Sequence, residues 1–190
     1  TLALERPRSP EDYEGVLRRV STATEQMSRR VDDLLLLAQA EIGLVPPPAD
    51  LIELDGLAFD CCEFMRSRAS VLQRSLELER VASVEVIGSE ALLTEALVEL
   101  IENALRHGDP GSPVRVSAYR DGDRACLEVS SAGAPLGDGP VVRQPRADGT
   151  SGGLGLAIVE WIATFHGGEL ERRHAAGRNR FSLRWPAANG

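Results

Sequence analysis

A narrow apolar stripe along one long helix is the feature that most constrains the fold of this chain. Ser9 can cap a helix, Pro10 suits its first position, and Gly43 suits the C-cap. Such a stripe needs partner helices, and too few residues precede Ser9 to form a full-length antiparallel partner. The pattern therefore favours a dimeric or truncated helical bundle over a hairpin within one chain. The stripe follows a four-three alternation typical of heptads, at Tyr13, Leu17, Val20, Thr24, Met27, Val31, Leu34 and Ala38.

A proline-rich segment, LVPPPAD at residues 44–50, predicts a stiff linker and a domain boundary. Beyond it, residues 51–190 alternate between strand and helix patterns. We predict an α+β chain in which the long bundle-forming helix precedes an α/β sandwich, with helices on one face of a mostly antiparallel sheet. The first elements expected in that sandwich are a strand at 51–54, a helix at 57–72 with Cys61, Phe64 and Val71 on its inner side, and strands near 76–80 and 83–87. A helix capped by Ser89 and a hairpin that turns at Asp121 and Gly122 are expected next. The remaining elements are a long loop at 132–149, a helix after the glycines near 153, and strands near 169–173 and 180–185.

Composition excludes several classes of function. The net charge of -8 disfavours nonspecific binding to nucleic acid or to an anionic membrane. No apolar run is long enough to span a bilayer and the first residues do not form a secretory signal, so we expect no membrane contact from this segment. All 21 basic residues are arginine, which excludes a Walker A lysine and a Schiff base. The three cysteines form no CxxC pair and suit buried positions in a reducing compartment.

The helix TEALVELIENALRHG, residues 94–108, carries a polar stripe beside its apolar face. At about 100° per residue, Glu99, Asn103 and His107 lie at the border of that face. Glu102 and Arg106 are expected on the opposite, exposed side as a favourable i,i+4 pair. Helix geometry alone leaves both interpretations of the border stripe open, a solvated flank or a binding site.

A glycine-rich turn, GTSGGLGLAIV at residues 149–159, immediately precedes a helix. Free backbone N–H groups and the helix dipole favour an anion at such a position. By itself this is a weak signal, because glycines also serve loops that need positive φ. It lacks the spacing of a dinucleotide fingerprint, and no βαβ unit surrounds it.

Together, in this order, the two segments resemble a specific family. LLTEALVELIENALRHG resembles the N box, and SGGLGLAIVEWIATFHGG the second glycine box, of sensor histidine kinases, which belong to the ATPase superfamily shared with gyrase, a heat-shock chaperone and the MutL repair protein. RRVDDLLLLAQAE, residues 29–41, resembles the end of the second helix of their dimerisation and phosphotransfer domain. The resemblance covers essentially the whole chain. It implies a Bergerat-type ATPase fold at 51–190, a linker at 44–50, and a partial helical hairpin at 1–43.

The resemblance also implies roles for individual residues. Asn103 matches the asparagine that ligates Mg²⁺ bridging the ATP phosphates, and an amide oxygen is a suitably hard ligand. Glu99 matches the position that holds a metal-bound water or acts as a base. Because a histidine nucleophile needs little deprotonation, we expect Glu99 to position the reacting groups as its main role and to act as a base only secondarily. Arg106 and His107 match residues near the phosphates. The turn whose backbone donors hold the phosphates corresponds to Gly153, Leu154, Gly155 and Leu156.

The chain departs from the family where the base of the nucleotide is expected. The family's adenine-binding aspartate is replaced by Ser131, while Gly133 is kept and Pro135 stands where a second glycine is usual. A serine hydroxyl is a weaker acceptor than a carboxylate, so binding is expected to lose about 1.5 to 3 kcal/mol, or about one or two decades of affinity. The loop at 137–148 is also short and lacks the phenylalanine motif usual in this lid.

The family's phosphoacceptor histidine also has no counterpart here. None of His107, His166 and His174 stands in a context like HExRxPL, so the acceptor is expected upstream of Thr1. The resemblance further implies a response regulator receiver domain as partner, a homodimer through the helical bundle, and a cytoplasmic location, with any membrane anchor of a parent protein lying upstream.

Two other interpretations compete with the kinase. The departures at Ser131 also fit a degenerate ATPase-fold module that acts as a dimeric scaffold or regulator. GTSGG matches the GxSxG elbow of serine hydrolases, which needs a preceding parallel strand and a later acid and histidine. Loop precedes Gly149, and Glu169, Glu171 and His174 would have to supply the other two groups.

Overall fold

The computed structural model describes residues 9–135, 144–145, 151–152 and 154–188 of the 190-residue chain. The chain divides into two compact units, Thr1–Val45 and Pro46–Gly190. The described elements are α1 (Pro10–Glu41), β1 (Asp50–Glu53), α2 (Leu54–Val71), β2 (Leu76–Val81), β3 (Glu85–Gly88), α3 (Glu90–His107), β4 (Val114–Asp121), β5 (Arg124–Ala132), β6 (Gln144–Pro145), β7 (Ser151–Gly152), α4 (Leu154–Phe165), β8 (Glu169–Ala175) and β9 (Arg178–Pro186).

Helix α1 begins and ends at the predicted signals. The Ser9 hydroxyl accepts the backbone N–H of Asp12 at 3.2 Å. At the other end Gly43 adopts φ +69°, and Leu44 N–H donates to the Gln39 carbonyl at 2.9 Å, the bond expected of a glycine C-cap. All eight residues of the predicted stripe are exposed in the single chain. Its coverage by partner helices stays a prediction.

The second unit is built on a five-stranded sheet in the order β2-β4-β5-β9-β8. Strands β2 and β4 run parallel, and the other neighbours run antiparallel. Strands β1 and β3 form a separate antiparallel pair. Helix α2 packs on β2 and β4, α3 on β4 and β5, and α4 on β8 and β9. The predicted α/β sandwich with a mostly antiparallel sheet is therefore confirmed.

Alternation along the central strands separates an apolar face from a polar one. On β5, Leu127, Val129 and Ser131 share one face, and Glu128 and Ser130 share the other. Burying each large apolar side chain of the first face contributes roughly 1.5 to 3 kcal/mol. That face also carries Val114, Val116 and Ala118 of β4 and Asn179, Phe181, Leu183 and Trp185 of β9, all of them buried.

The inner side of α2 differs from the predicted one. Cys61 is buried as expected, but Phe64 and Val71 are each 76% exposed, so the prediction for these two residues is wrong. Apolar residues lie on both sides of this helix, and its periodicity does not decide which side packs. The buried side is formed by Leu54, Leu57, Ala58, Cys61, Cys62, Met65 and Ala69.

The start of α3 is stabilised by a histidine instead of the predicted serine cap. Ser89 stands at the N-cap, but its side chain makes no capping hydrogen bond. Its backbone N–H donates to Nε2 of His166 at 3.0 Å, while Nδ1 of that ring faces the Ile162 carbonyl at 2.8 Å. The carbonyl can only accept, so Nδ1 carries the proton. Burial lowers the pKa of His166, which favours this neutral form.

Most of the predicted loop at 132–149 lies outside the described residues. Within it, Gln144 and Pro145 pair antiparallel with Ser151 and Gly152, a short pairing that the lack of periodicity did not indicate. None of the helices in the part of the chain that the structure describes has the length and apolar character required to cross a bilayer.

Candidate functional site

Helix α3 presents the predicted apolar face to the core and the predicted polar stripe at its border. Glu99 and Asn103 are half-buried, and the side chain of His107 is exposed. Glu102 was expected on the exposed side, but it is 6% exposed, so that prediction is wrong. Nε of Arg68 on α2 lies 3.4 Å from Oε1 of Glu102, and Nη2 of Arg106 lies 3.6 Å from Oε2 of Glu102. These two cations compensate the buried negative charge of Glu102.

The border stripe meets the beginning of α4 at Glu99. A Cβ built on Gly155, the second residue of α4, would overlap Oε2 of Glu99 and lie 3.1 Å from its Cδ. Glycine at this position therefore permits the carboxylate to lie directly against the backbone of the first turn. Leu154, Gly155 and Leu156 form that turn and are all half-buried. Gly153, the other predicted residue of the turn, lies outside the described residues.

The carboxyl end of α3 is held by Arg74, which the sequence did not single out. Arg74 is 7% exposed, and its Nη1 donates to the carbonyls of Ala104 at 2.9 Å and Leu105 at 3.1 Å. Its Nε donates to the carbonyl of Ser112 at 3.0 Å. Burial lowers the pKa of the guanidinium, and the charge of Asp109 opposes that shift. Arg74 thereby adds a charged donor to carbonyls in the last turn of α3 and ties that turn to Ser112.

We predict that Arg74→Met lowers the free energy of unfolding by about 2 to 4 kcal/mol, because two buried carbonyls and the part-buried carbonyl of Ser112 lose a charged donor. Denaturant unfolding followed by circular dichroism measures the change. Arg120→Met is a matched control, since Arg120 also donates to a carbonyl, that of Gly122 at 3.0 Å, but at an exposed position. The control should lose less than about 1 kcal/mol. Equal losses in the two variants would contradict the role given to Arg74.

Ser131 and Gly133 lie where the end of β5 approaches the end of α3. Ser131 is 5% exposed and faces the same side as the core. A Cβ built on Gly133 would lie 3.6 Å from the His107 carbonyl and 3.7 Å from Cα of Gly108. Asp109 N–H donates to the carbonyl of Ala132 at 2.8 Å and ties the two ends together. The structure therefore brings Ser131 and Gly133 to the same end of α3 as His107.

Asn179 is a further residue at this end that the sequence analysis missed. It pairs with Ser131 in the register of β5 and β9 and is 6% exposed. Its Nδ2 donates to the Ala134 carbonyl at 2.8 Å, and its Oδ1 lies 3.0 Å from Nδ1 of His174. Asn179 thus fixes the turn that follows Ser131. The alternation of Asn179 with Phe181 and Leu183 on β9 was the signal that could have revealed it.

Thiol and serine-hydrolase chemistry find little support. Burial raises the pKa of Cys61 to about 12 and that of Cys62 to about 11, so both thiols stay protonated at neutral pH. Ser151 lies in the two-residue strand β7, antiparallel to β6, and does not follow a parallel strand of the main sheet. The described geometry around Ser151 therefore lacks the strand that a nucleophile elbow requires.

The chemistry of the site suits a metal-bound polyphosphate. The first turn of a helix such as α4 has backbone N–H groups without acceptors in the helix, and Gly155 lets the Glu99 carboxylate lie beside that turn. Asn103 follows Glu99 by one turn on α3 and supplies an amide oxygen, a ligand that Mg²⁺ accepts. These donors are of the kinds that a metal-bound polyphosphate such as MgATP requires.

Comparison with known proteins identifies the class of this fold. Residues 88–189 match the family described as histidine kinase-, DNA gyrase B-, and HSP90-like ATPase. The chain is 27% identical over 197 residues to the sensor histidine kinase CusS of Escherichia coli, covering 98% of this chain and 41% of CusS. It is 29% identical over 187 residues to the probable sensor histidine kinase TcrY of Mycobacterium tuberculosis, covering 93% of this chain and 39% of TcrY. Among solved structures, the histidine kinase AdeS of Acinetobacter baumannii superposes with a TM-score of 0.78 at 19% identity, covering 99% of this chain and 90% of AdeS.

The chain belongs to the histidine kinase-, DNA gyrase B- and HSP90-like ATPase family. Within that family its relatives are sensor histidine kinases, and its second unit is a histidine kinase ATP-binding catalytic domain of the two-component type. It spans about two fifths of the length of the curated relatives it matches.

Proposed function

We propose that this chain binds MgATP and transfers the γ-phosphate to a histidine, for relay to a response regulator in two-component signalling. The contact between Glu99 and Gly155 carries the proposal. It joins the polar stripe of α3 to the glycine turn of α4, two features that are each weak evidence alone. Family membership supports the same conclusion independently.

In this mechanism each group around α4 has a distinct task. Asn103 would hold Mg²⁺, which when bound neutralises charge on the transferring phosphoryl group. The N–H groups of Leu154, Gly155 and Leu156, with Gly153, hold the phosphates at the positive end of the helix dipole. Glu99 positions the reacting groups and serves as base only secondarily, because a neutral imidazole already has a lone pair for attack.

At the carboxyl end of α3, Ser131 and Gly133 bind the adenine. The Ser131 hydroxyl accepts a hydrogen bond from the exocyclic amino group of adenine. Asn179 keeps the turn after Ser131 in place, because its Nδ2 donates a hydrogen bond to the Ala134 carbonyl. His107 lies at the carboxyl end of α3, where its carbonyl approaches Gly133. Arg106 pairs with Glu102 in the described structure, so its proposed phosphate contact requires that 3.6 Å pair to rearrange.

The partners of this core follow from its first unit. The exposed stripe of α1 would dimerise with a second copy in a bundle, and residues 1–43 would form the end of a phosphotransfer hairpin. The acceptor histidine would be supplied from outside residues 1–190. A cytoplasmic location completes the proposal, because ATP and response regulators are found there.

The replacement of aspartate by Ser131 favours a second candidate, a degenerate module that acts as a dimeric scaffold. Titration calorimetry with MgATP separates the two. The kinase proposal expects measurable binding, together with phosphate transfer to a supplied first-helix fragment or to an acceptor in a longer chain. Absence of binding at millimolar MgATP would exclude the kinase and support the scaffold.

A further inference from the structure

A groove of about 230 Å³ lies between α2 and the first two turns of α3, and none of its residues has a part in the proposed function. The residues from α2 stand at i, i+3, i+4 and i+7, so they share one side of that helix. Small-molecule sites usually occupy roughly 300 to 1,000 Å³, so a groove of this volume is better suited to a single side chain. It is lined by Leu57, Asp60, Cys61 and Phe64 of α2 and by Glu90 and Thr94 of α3.

The groove combines a buried apolar part with an exposed aromatic ring. Leu57 is 7% exposed and Cys61 is 2% exposed, whereas Phe64 is 76% exposed. A single exposed apolar residue is ordinary on a protein surface and by itself indicates no partner. Phe64 differs because its ring lines a groove that also contains two carboxylates.

Those carboxylates belong to Asp60 and Glu90, and both side chains are exposed. The neighbouring arginines of α2 are engaged elsewhere, since Arg66 pairs within its own helix and Arg68 pairs with Glu102. Among the residues that the structure describes, no salt bridge involves Asp60 or Glu90. The groove therefore offers an apolar wall, an aromatic face and two negative charges to whatever occupies it.

We propose that this groove is a docking site for a partner protein and receives one arginine side chain from it. The guanidinium stacks on the ring of Phe64 and pairs with the carboxylates of Asp60 and Glu90. The methylene stem of the arginine lies against Leu57. A lysine ammonium satisfies the charges but lacks the planar group that stacks on an aromatic ring. The net charge of -8 also attracts a basic partner at longer range.

The first test uses a pair of short peptides and the full chain of residues 1–190. One peptide is acetyl-Ala-Leu-Arg-Leu-Ala-amide, and the other carries citrulline in place of arginine, which keeps the shape of the side chain but removes its charge. Binding is measured by the shifts of backbone amide signals in nuclear magnetic resonance spectra. We expect millimolar binding of the arginine peptide, with shifts confined to α2 and the start of α3, and at least about fivefold weaker binding of the citrulline peptide.

Variants of the groove have matched controls on the same helix. Phe64→Ala should weaken binding of the arginine peptide at least about threefold. Phe59→Ala should not, because Phe59 is also an exposed aromatic residue of α2, at 53%, but does not line the groove. Asp60→Asn should reduce the difference between the two peptides, whereas Glu63→Gln, which removes a carboxylate outside the groove, should preserve it.

Three results would overturn the inference: equal binding of the two peptides, no shift at the groove with millimolar arginine peptide, or an equal loss of affinity in Phe59→Ala and Phe64→Ala. Sedimentation provides a further measurement, because self-association that is lost in Phe64→Ala would assign the groove to a second copy instead. The affinity for MgATP should stay the same in all four variants. A wild type that binds no MgATP would contradict the proposed function and leave the result with the peptides intact.

Discussion

Replacing Asn103 by alanine is expected to reduce phosphate transfer by at least about 100-fold, because Mg²⁺ would lose the protein ligand proposed for it and the phosphates would lose the charge that the metal brings. The affinity for MgATP should fall as well, while the affinity for metal-free nucleotide should hardly change. The measurement is transfer of labelled γ-phosphate to a supplied first-helix fragment, followed over time and paired with calorimetry.

Glu95→Ala is the control for Asn103→Ala, since it truncates a half-buried polar side chain on the same helix at a position without an assigned role. It should keep wild-type transfer. Both variants should unfold within about 1 kcal/mol of the wild type, because neither removes buried apolar surface. Full activity in Asn103→Ala would contradict the metal role.

Restoring a carboxylate at Ser131 is expected to raise the affinity for ATP by about 10- to 100-fold. Adenine carries an amino donor at C6 that a carboxylate accepts in a charge-assisted bond, whereas guanine presents a carbonyl there and is repelled. The gain corresponds to about 1.5 to 3 kcal/mol. Ser131→Asp should therefore increase ATP affinity and lower GTP affinity, as competitive displacement of a fluorescent nucleotide would measure.

Ser130→Asp is a closely matched control for this change. Ser130 is the preceding residue on β5, is 2% exposed, and faces the other side of the sheet, where Nη2 of Arg178 lies 3.4 Å from its hydroxyl. A carboxylate there should leave the ATP/GTP preference unaltered. If Ser131→Asp folds and shows no shift towards ATP, Ser131 does not face the base.

Local sequence signals predicted the parts of this molecule that depend on neighbours in the chain. Helix α1 begins at the Ser9 cap and ends before Gly43, and the β4–β5 turn contains Gly122 at φ +63°. In each case a residue's own backbone preference or short-range hydrogen bond decides the outcome. The presence of α3 with its Asn103, followed later in the chain by α4 with its preceding glycines, was likewise sufficient to indicate the family.

The sequence failed where residues distant in the chain decide the outcome. Glu102 is buried where Arg68 of α2 approaches it, and the sequence of α3 alone does not predict this contact. The α3 N-cap depends on His166, which lies 77 positions further along the chain. The sequence predicts Phe64 on the inner side of α2, but this helix has apolar residues on both sides. Packing against the sheet buries the side that carries Cys61 and Met65 instead.

The sequence by itself determined the kinds of groups available to this protein: an asparagine and a glutamate one turn apart, a glycine turn before a helix, and a serine in place of a carboxylate. Only the tertiary structure decided their partners, because helix packing and strand register bring together residues that are far apart in the chain. Packing of α3 on α4 places Glu99 against Gly155, and the register of β5 with β9 places Asn179 beside Ser131. Those two juxtapositions define the phosphate and base ends of the proposed site.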